Sequence, residues 1–388
     1  MRIADGTYAN LKTVNVGGLW NSIGDIAKPV RIVGNDADPT RVVLKFKSST
    51  PCGGLFVGND RAVLSGVTLT GSTGVTAAED RGGALHVTAG TVTNCWVSGC
   101  RTGQSYGQPA VALLGGAMVD SVITNSGLVA SMWPKSAGLI RIGAATMERC
   151  RIVNNSTWEI DNGTGVIVLE SSKSVLRDCV VCGNYTRHEN INASRNGFIS
   201  MNAGLMERCA VVRNTSSTKG RSGWTGGVDL KGGKMTNCLV ADNVVTNDSF
   251  NVAGVRISNS AQMVNCTVAG NACTAETGDS VAGLNLESSS ARVWNTLVCG
   301  NGLGVEAAGV TETTFLSSLW GVDAKFCGSQ KGDYRLSSAS PAVGIGDNSV
   351  WAGVDHPVDL AGLPRLHGRR VDAGCYENQT GGLCILVR

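Results

Sequence analysis

The chain has 388 residues, of which 52 are glycine, and its formal net charge is +3. Glycine is therefore about twice as frequent as usual, while 42% hydrophobic residues is too high a share for a disordered chain. The lysines and arginines are scattered, which excludes a typical nucleic-acid-binding surface, and no apolar run is long enough for a membrane-spanning helix.

A short phrase centred on a cysteine recurs every 26 to 30 residues from residue 94 onward. We call this position the cysteine slot, and an asparagine recurs five residues after it. The cysteine slot holds Cys95, Ser121, Cys150, Cys179, Cys209, Cys238, Cys266 and Thr296. The recurring asparagines are Asn155, Asn184, Asn214, Asn243, Asn271 and Asn301.

The repeat also predicts short strands on both sides of the cysteine slot. One strand follows the slot. Another lies nine to eleven residues before it, behind an opening glycine or alanine such as Gly138 or Gly197. Both strands alternate apolar and polar residues, which is the period of a β-strand. A leucine-rich repeat needs a leucine framework, and a propeller blade is longer. The pattern therefore predicts an all-β right-handed parallel β-helix of nine or ten coils of about 29 residues, over residues 1–302.

Stacked coils place equivalent residues above one another, so the repeats predict two side-chain ladders. The cysteines should form a buried inward column of mostly reduced thiols, because stacked residues rarely have disulfide geometry. The asparagines should occupy tight left-handed turns and bond along the stack. Cys179 and Cys182 have no partner pair at zinc-site spacing, so no metal site and no cofactor are predicted.

Two N-terminal phrases, Ile3–Tyr8 and Lys28–Gly34, are similar to the start of many bacterial β-helix surface proteins. With the repeats, residues 1–302 resemble the right-handed parallel β-helix superfamily that includes pectate lyases. That family usually begins with a helical cap, so the resemblance implies an N-terminal cap that is missing or truncated here. The motifs shared by its polygalacturonase-like and pectate lyase enzymes do not occur in this sequence. The fold alone therefore implies no enzymatic activity.

Residues 303–388 leave the repeat and are predicted to form an irregular C-terminal cap over the last coil, with Trp320, Tyr334 and Tyr376 buried. Their phrases resemble the end of bacterial choice-of-anchor Q domain proteins. These phrases are Asp333–Leu336, Ser340–Asp347, Asp359–Arg365 and Val371–Glu377. In that family an anchoring signal usually follows, whereas this sequence stops at Arg388 without an apolar anchor, so the mode of attachment stays open.

Two surfaces are candidates for function. The first is the outward column of the glycine-opened strands, which is expected to be a solvated face with one exposed ion pair between Asp229 and Arg256. It consists of His86, Ala112, Arg141, Val168, Ser200, Asp229, Arg256 and Asn285.

The second surface is formed by the loops that follow each asparagine, which should stack on one side of the solenoid. Its predicted ligand-binding residues are Trp133, Trp158, Tyr185, Arg187 and Trp224, because aromatic faces beside polar groups suit a sugar. Weaker candidates for a catalytic acid and base are Glu159, Asp161, His188 and Glu189, since glycoside hydrolysis needs two opposed carboxyl groups. The alternative is that the aromatic rings fold back and cover the coil wall.

The sequence therefore predicts a bacterial cell-surface or secreted β-helix protein, a carbohydrate-contacting scaffold or adhesin without demonstrable catalysis. Its predicted partner is a polysaccharide, with no nucleic acid, and its location is extracellular although no signal peptide is visible. The alternatives are a polysaccharide lyase or glycoside hydrolase acting on an extracellular glycan, and a purely structural spacer. A cleft with convergent carboxylates would favour an enzyme, and a flat wall would favour binding.

Overall fold

The structure is a computed structural model. It describes residues 1–11, 14–16, 19–46, 53–72, 83–104, 109–130, 138–159, 165–188, 197–218, 225–246, 250–274 and 280–380. Within these ranges the helical segments are 3₁₀ turns at Pro39–Arg41, Ser329–Lys331 and Asn348–Trp351. No helix in the described part of the chain is long and apolar enough to cross a membrane. Strands stack in parallel, coil upon coil, so the predicted all-β parallel solenoid is confirmed.

Each complete coil runs through four short strands, and equivalent strands of successive coils form four walls. The walls are numbered in the order in which one coil runs through them, beginning with the glycine-opened strand. Two long strands, Gly53–Ser65 and Leu85–Thr93, run through both the first and the second wall. The other strands of the first wall are Leu19–Ile26, Val111–Leu113, Ile140–Ile142, Ile167–Leu169, Gly197–Met201, Thr225–Leu230, Val255–Ile257, Val281–Leu286 and Val305–Ala308. Those of the second wall are Arg31–Val33, Ala117–Val119, Thr146–Glu148, Val175–Arg177, Leu205–Glu207, Lys234–Thr236, Gln262–Val264, Arg292–Trp294 and Phe315–Leu316.

The third wall contains the strands that follow the cysteine slot, and the fourth those that follow the asparagines. The third wall consists of Gly6–Leu11, Val42–Phe46, Thr68–Thr70, Trp96–Ser98, Val122–Thr124, Arg151–Val153, Val180–Cys182, Ala210–Val212, Leu239–Ala241, Thr267–Ala269, Leu297–Cys299 and Leu319–Trp320. The fourth wall consists of Arg101–Gln104, Gly127–Ala130, Ser156–Glu159, Tyr185–His188, Thr215–Thr218, Val244–Thr246 and Ala272–Cys273. Outside the walls, Val14–Val16 pairs antiparallel with Leu19–Ile26, and Phe326–Gly328 pairs antiparallel with Asp333–Leu336.

Equivalent positions pair directly from coil to coil, as Ile123 does with Ile152 in the third wall. The third wall has twelve strands and the fourth has seven. About seven coils of the described chain therefore carry all four walls, which is fewer than the nine or ten predicted. The difference arises because the coils near either end contribute strands to some walls only.

The interior of the solenoid is a continuous apolar core. The central residue of each short strand points inward, because side chains alternate along a strand, and stacked residues such as Met118, Met147 and Leu176 are fully buried. The cysteine slot lies inside this core, as predicted, and the twelve described cysteines are free thiols. Burial raises the pKa of the Cys95 thiol to about 12.

The coils turn their corners on residues with a left-handed backbone conformation. The residue before each cysteine slot has φ between 47° and 52°, as at Asp120, Arg149 and Asn237. The residue before each recurring asparagine is also left-handed, as at Asn154, where φ is 56°. The prediction that the recurring asparagines themselves adopt this conformation is wrong, because the turn is made one residue earlier.

The asparagine ladder itself is confirmed. Each amide nitrogen donates to the amide oxygen of the next coil, as in Asn184 to Asn214 at 2.9 Å and Asn214 to Asn243 at 2.9 Å. The same amide nitrogen also donates to a backbone carbonyl of the preceding coil, so each side chain joins three coils. The ladder ends at Asn301, whose backbone and side-chain N–H groups both donate to the carboxylate of Glu306.

The C-terminal segment, residues 322–380, lies along the outside of the third wall. Its buried residues Tyr334, Leu336 and Cys375 pack against the outward side chains of Leu239 and Leu297. It thus lies against the side of the last coils, and the sequence predicted a cap that pairs with or covers the last coil. Tyr334 is only 3% exposed, as expected, but Trp320 is 48% exposed, and the burial predicted for it is wrong.

Candidate functional site

Three of the five predicted ligand-binding residues lie in the described part of the chain, and all three are on the outer face of the fourth wall. They are Trp158, Tyr185 and Arg187. Trp158 is 43% exposed and Tyr185 is 41% exposed. Strand pairing places Trp158 opposite Arg187 on the next coil, and Ser156 opposite Tyr185. Trp158 therefore lies on one coil of the wall, and Tyr185 and Arg187 lie on the next coil.

These residues border a shallow groove of about 240 Å³. The groove is lined by Arg101, Gly127, Ser156, Thr157, Trp158, Tyr185 and Arg187. It exists because Gly127 and Ser156, which are paired on neighbouring coils, have little or no side chain. Larger side chains at the equivalent positions of the coils before and after, Arg101 and Tyr185, close its two ends.

The indole of Trp158 is held by a cation–π contact. The guanidinium carbon of Arg187 lies 5.1 Å from the centre of its ring, within the range in which such contacts are attractive. Arg187 therefore lies over one face of the ring, and the side chain of Trp158 is still 43% exposed. The contact also holds the ring in place before any ligand arrives, which reduces the entropy lost on binding.

The other predicted site residues fall largely outside the described part of the chain. Trp133, Asp161, Glu189 and Trp224 lie outside the described residues. Glu159 and His188 belong to described strands, where they occupy directly paired positions on adjacent coils, although their side chains lie outside the description. The backbone thus places a carboxyl-bearing and an imidazole-bearing residue next to each other at the ends of two adjacent strands.

The outward column of the first wall differs from the prediction. Asp229 and Arg256 do pair, through two hydrogen bonds of 2.9 and 2.7 Å, but they are 0% and 2% exposed, so the expected solvated face is wrong. At two described places, the residue that opens one of these strands lies close to the column on the next coil. A Cβ atom at Gly197 would lie 2.8 Å from that of Asp229, and one at Gly138 would lie 3.1 Å from a Val168 methyl. The glycines that open these strands therefore permit this close approach.

The corner between the second and third walls carries a row of ion pairs that the sequence analysis did not identify. Arg149 pairs with Asp120 at 2.7 Å, Arg208 pairs with Asp178 at 2.7 Å, and each pair joins successive coils. Because these groups are partly exposed and screened by solvent, each pair contributes little to stability. We assign the row a structural role in coil stacking.

In the last coils, asparagines replace these charged residues and bind the C-terminal segment. Asn237 accepts a hydrogen bond of 2.7 Å from Arg365, and Asn265 accepts one of 2.9 Å from the Trp351 indole. Arg365 is fully buried and pairs with Glu377 at 3.2 Å. Burial raises the pKa of Glu377 to about 7.

A second cavity, of about 310 Å³, lies between the third wall and the C-terminal segment. It contains Asp242 and Asp323, and the Tyr334 hydroxyl donates a hydrogen bond to the Asp242 carboxylate. Burial and this bond raise the pKa of Tyr334. Within the described residues no three His, Cys, Asp or Glu side chains come together in a way that could hold a metal ion.

The four walls and the two ladders define an all-β parallel β-solenoid. Comparisons with protein-family models, with curated proteins and with solved structures found no match to this chain.

Proposed function

We propose that this protein is a carbohydrate-contacting scaffold or adhesin, and that the groove on its fourth wall binds an oligosaccharide. The observation that carries the proposal is the exposed Trp158 ring, fixed by Arg187 beside a groove with a floor of small residues. Sugars bind proteins through aromatic faces and nearby polar groups, and shallow solvent-exposed sites suit chains of sugars.

The proposed location is the bacterial cell surface or the extracellular space. It rests on the resemblance of the C-terminal phrases to choice-of-anchor Q domain proteins. A β-solenoid also suits such a location, because stacked coils form a long rigid wall that can display one binding surface away from its point of attachment.

The proposal is tested by applying the purified protein to an array of extracellular polysaccharides and oligosaccharides. Selective, saturable binding to one class of glycan is the expected result. Absence of binding to every glycan on an array that covers neutral and acidic classes would overturn the proposal and leave the role of a structural spacer.

An enzyme is the second candidate, favoured by the paired positions of Glu159 and His188 on adjacent strands of the fourth wall. A polysaccharide lyase or glycoside hydrolase would release products from the glycan identified on the array. Incubation should therefore be followed by assays for new reducing ends and for unsaturated ends. Product formation that is lost in Glu159→Gln would favour the enzyme, and unchanged glycan would favour the scaffold.

A further inference from the structure

Arg101 is a residue of the groove that the sequence analysis did not select. It opens the first strand of the fourth wall, where its backbone N–H donates a 2.7 Å hydrogen bond to the carbonyl of Ser72. Its side chain is exposed and lines the groove. In the described part of the chain no carboxylate pairs with its guanidinium group. Arg101 thus provides a cation at one end of the groove.

The register of the fourth wall fixes the length of the groove. Arg101, Gly127, Ser156 and Tyr185 occupy the same position on four successive coils. With about 4.8 Å between neighbouring strands, the three steps from Arg101 to Tyr185 span about 14 Å. The two central positions form the floor, so the open part is long enough for one or two sugar rings.

The described residues that line the groove include Arg101 and Arg187 and no carboxylate. Arg187 is engaged with the Trp158 ring, so Arg101 is the cation that would bind a ligand. A sugar ring in contact with Trp158 would have Arg101 towards one end of the groove and Tyr185 towards the other. A neutral sugar has no group that specifically requires a guanidinium, whereas a carboxylate or a sulfate matches its paired N–H donors.

We infer that the groove selects glycans carrying carboxylate or sulfate groups, and that Arg101 determines this selectivity. The inference rests on the proposed function, because it names the class of glycan that the same groove takes. Arg101 binds the anionic group, Trp158 contacts the ring, and Gly127 keeps the floor open between them. Gly127 has no left-handed backbone requirement, and a Cβ atom there would meet the Ser156 carbonyl oxygen at 3.0 Å. Its lack of a side chain therefore shapes the groove rather than a turn.

The test compares three oligosaccharides of equal length and linkage, one neutral, one carboxylated and one sulfated, by titration calorimetry at low salt. We expect at least one acidic ligand to bind more tightly than the neutral one, and Arg101→Gln to weaken that binding about tenfold, the usual effect of losing a charge-assisted hydrogen bond. Binding of the neutral ligand should change less than twofold. Arg151→Gln is the matched control, because Arg151 is an exposed arginine on the third wall. The affinity of the acidic ligand should also fall as salt is added.

The outcomes separate the inference from the proposed function. Equal binding of neutral and acidic ligands, or an Arg101→Gln variant that binds the acidic ligand normally, would overturn the inference and leave a glycan-binding groove. Failure of all three ligands and of every glycan on the array would overturn the proposed function itself. The relative affinities of the carboxylated and sulfated ligands identify which anion the groove prefers.

Discussion

At the scale of single residues, the coils are held together by side chains that repeat the same bonds in every coil. Asn214 shows the pattern: its amide nitrogen donates to Val181 and Asn243, while its amide oxygen accepts from the backbone and side-chain N–H groups of Asn184. These groups are fully buried. A water molecule could replace a lost hydrogen-bond partner there only in a cavity that is polar and large enough to hold it.

We therefore expect Asn214→Ala to destabilise the protein by roughly 2–4 kcal/mol, since several buried backbone and amide groups would lose their partners. Asn202→Ala is the control, because Asn202 is exposed on the surface. Denaturant unfolding followed by circular dichroism would measure both variants. Equal stability of the two variants would mean that the ladder contributes little to coil stacking.

The cysteine column makes a second prediction at this scale. Within the column, the backbone N–H of Cys150 donates to the sulfur of Cys179, and that of Cys209 donates to Cys238. The cysteines of the column are buried free thiols. Titration with a thiol reagent should label the six column cysteines only after denaturation, whereas the exposed Cys327 should react in the folded protein. Disulfides between Cys150 and Cys179, or between Cys209 and Cys238, found by mass spectrometry without reductant would contradict this account.

The two ladders could be predicted because each occupies one slot of a period that the sequence displays directly. The left-handed corner could not be assigned to its residue, because that slot holds aspartate, arginine and asparagine in turn. The burial of Asp229 and Arg256 was also missed, since it depends on how closely the strand openings approach the next coil. The groove combines Trp158, which stands out in the sequence, with Gly127 and Arg101, which do not. Only the register of the fourth wall brings them together.

At the scale of structural elements, residues 359–365 and 371–377 form the contacts that hold the C-terminal segment to the third wall. Arg365 and Glu377 form a fully buried ion pair, and Asp359 accepts backbone hydrogen bonds from Ala361, Leu363 and Glu377. A buried pair of this kind is costly to break, because removal of one partner leaves an unpaired charge. These residues therefore have a structural role in docking the segment. The docking could not be predicted from the sequence, since Asn237 and Arg365 are 128 residues apart.

Asn265→Gly tests this docking without straining the corner, because glycine readily adopts the left-handed conformation that Asn265 has at φ 48°. The substitution removes the acceptor for the Trp351 indole and the donor to the Asp372 carbonyl. We expect the C-terminal segment to become more sensitive to limited proteolysis, with a loss of roughly 1–3 kcal/mol in stability. Asn154→Gly makes the same backbone change at an exposed corner and should have little effect. Equal proteolysis of both variants would contradict the docking role.

At the scale of the whole molecule, the C-terminal segment and the fourth wall have separate tasks. The segment covers the apolar outer face of the third wall beside the last coils, including Leu239, Ala269 and Leu297. The fourth wall bears the groove on another side of the solenoid. The rigid stack of coils thus separates the surface that is covered from the surface that is open to a ligand.

Removal of residues 322–388 should therefore expose apolar wall while leaving the strand ladders intact. We expect the shortened chain to bind a hydrophobic dye and to aggregate, because a large exposed apolar face promotes association. Size-exclusion chromatography with light scattering would measure this. A shortened chain that stays monomeric with an unchanged melting temperature would show that the segment does not protect the wall.

The most direct test of the central claim is the affinity of Trp158→Ala for the glycan selected on the array, measured by titration calorimetry together with a melting curve. Trp320→Ala is the matched control, since Trp320 is similarly exposed at 48% but lies on the last strand of the third wall. We predict that Trp158→Ala weakens binding at least tenfold, as expected for a central aromatic contact. Its loss of stability should stay well below the roughly 3–5 kcal/mol of a buried aromatic, and Trp320→Ala should bind normally. Undiminished binding by Trp158→Ala, or a loss of stability as large as that of a core residue, would contradict the account.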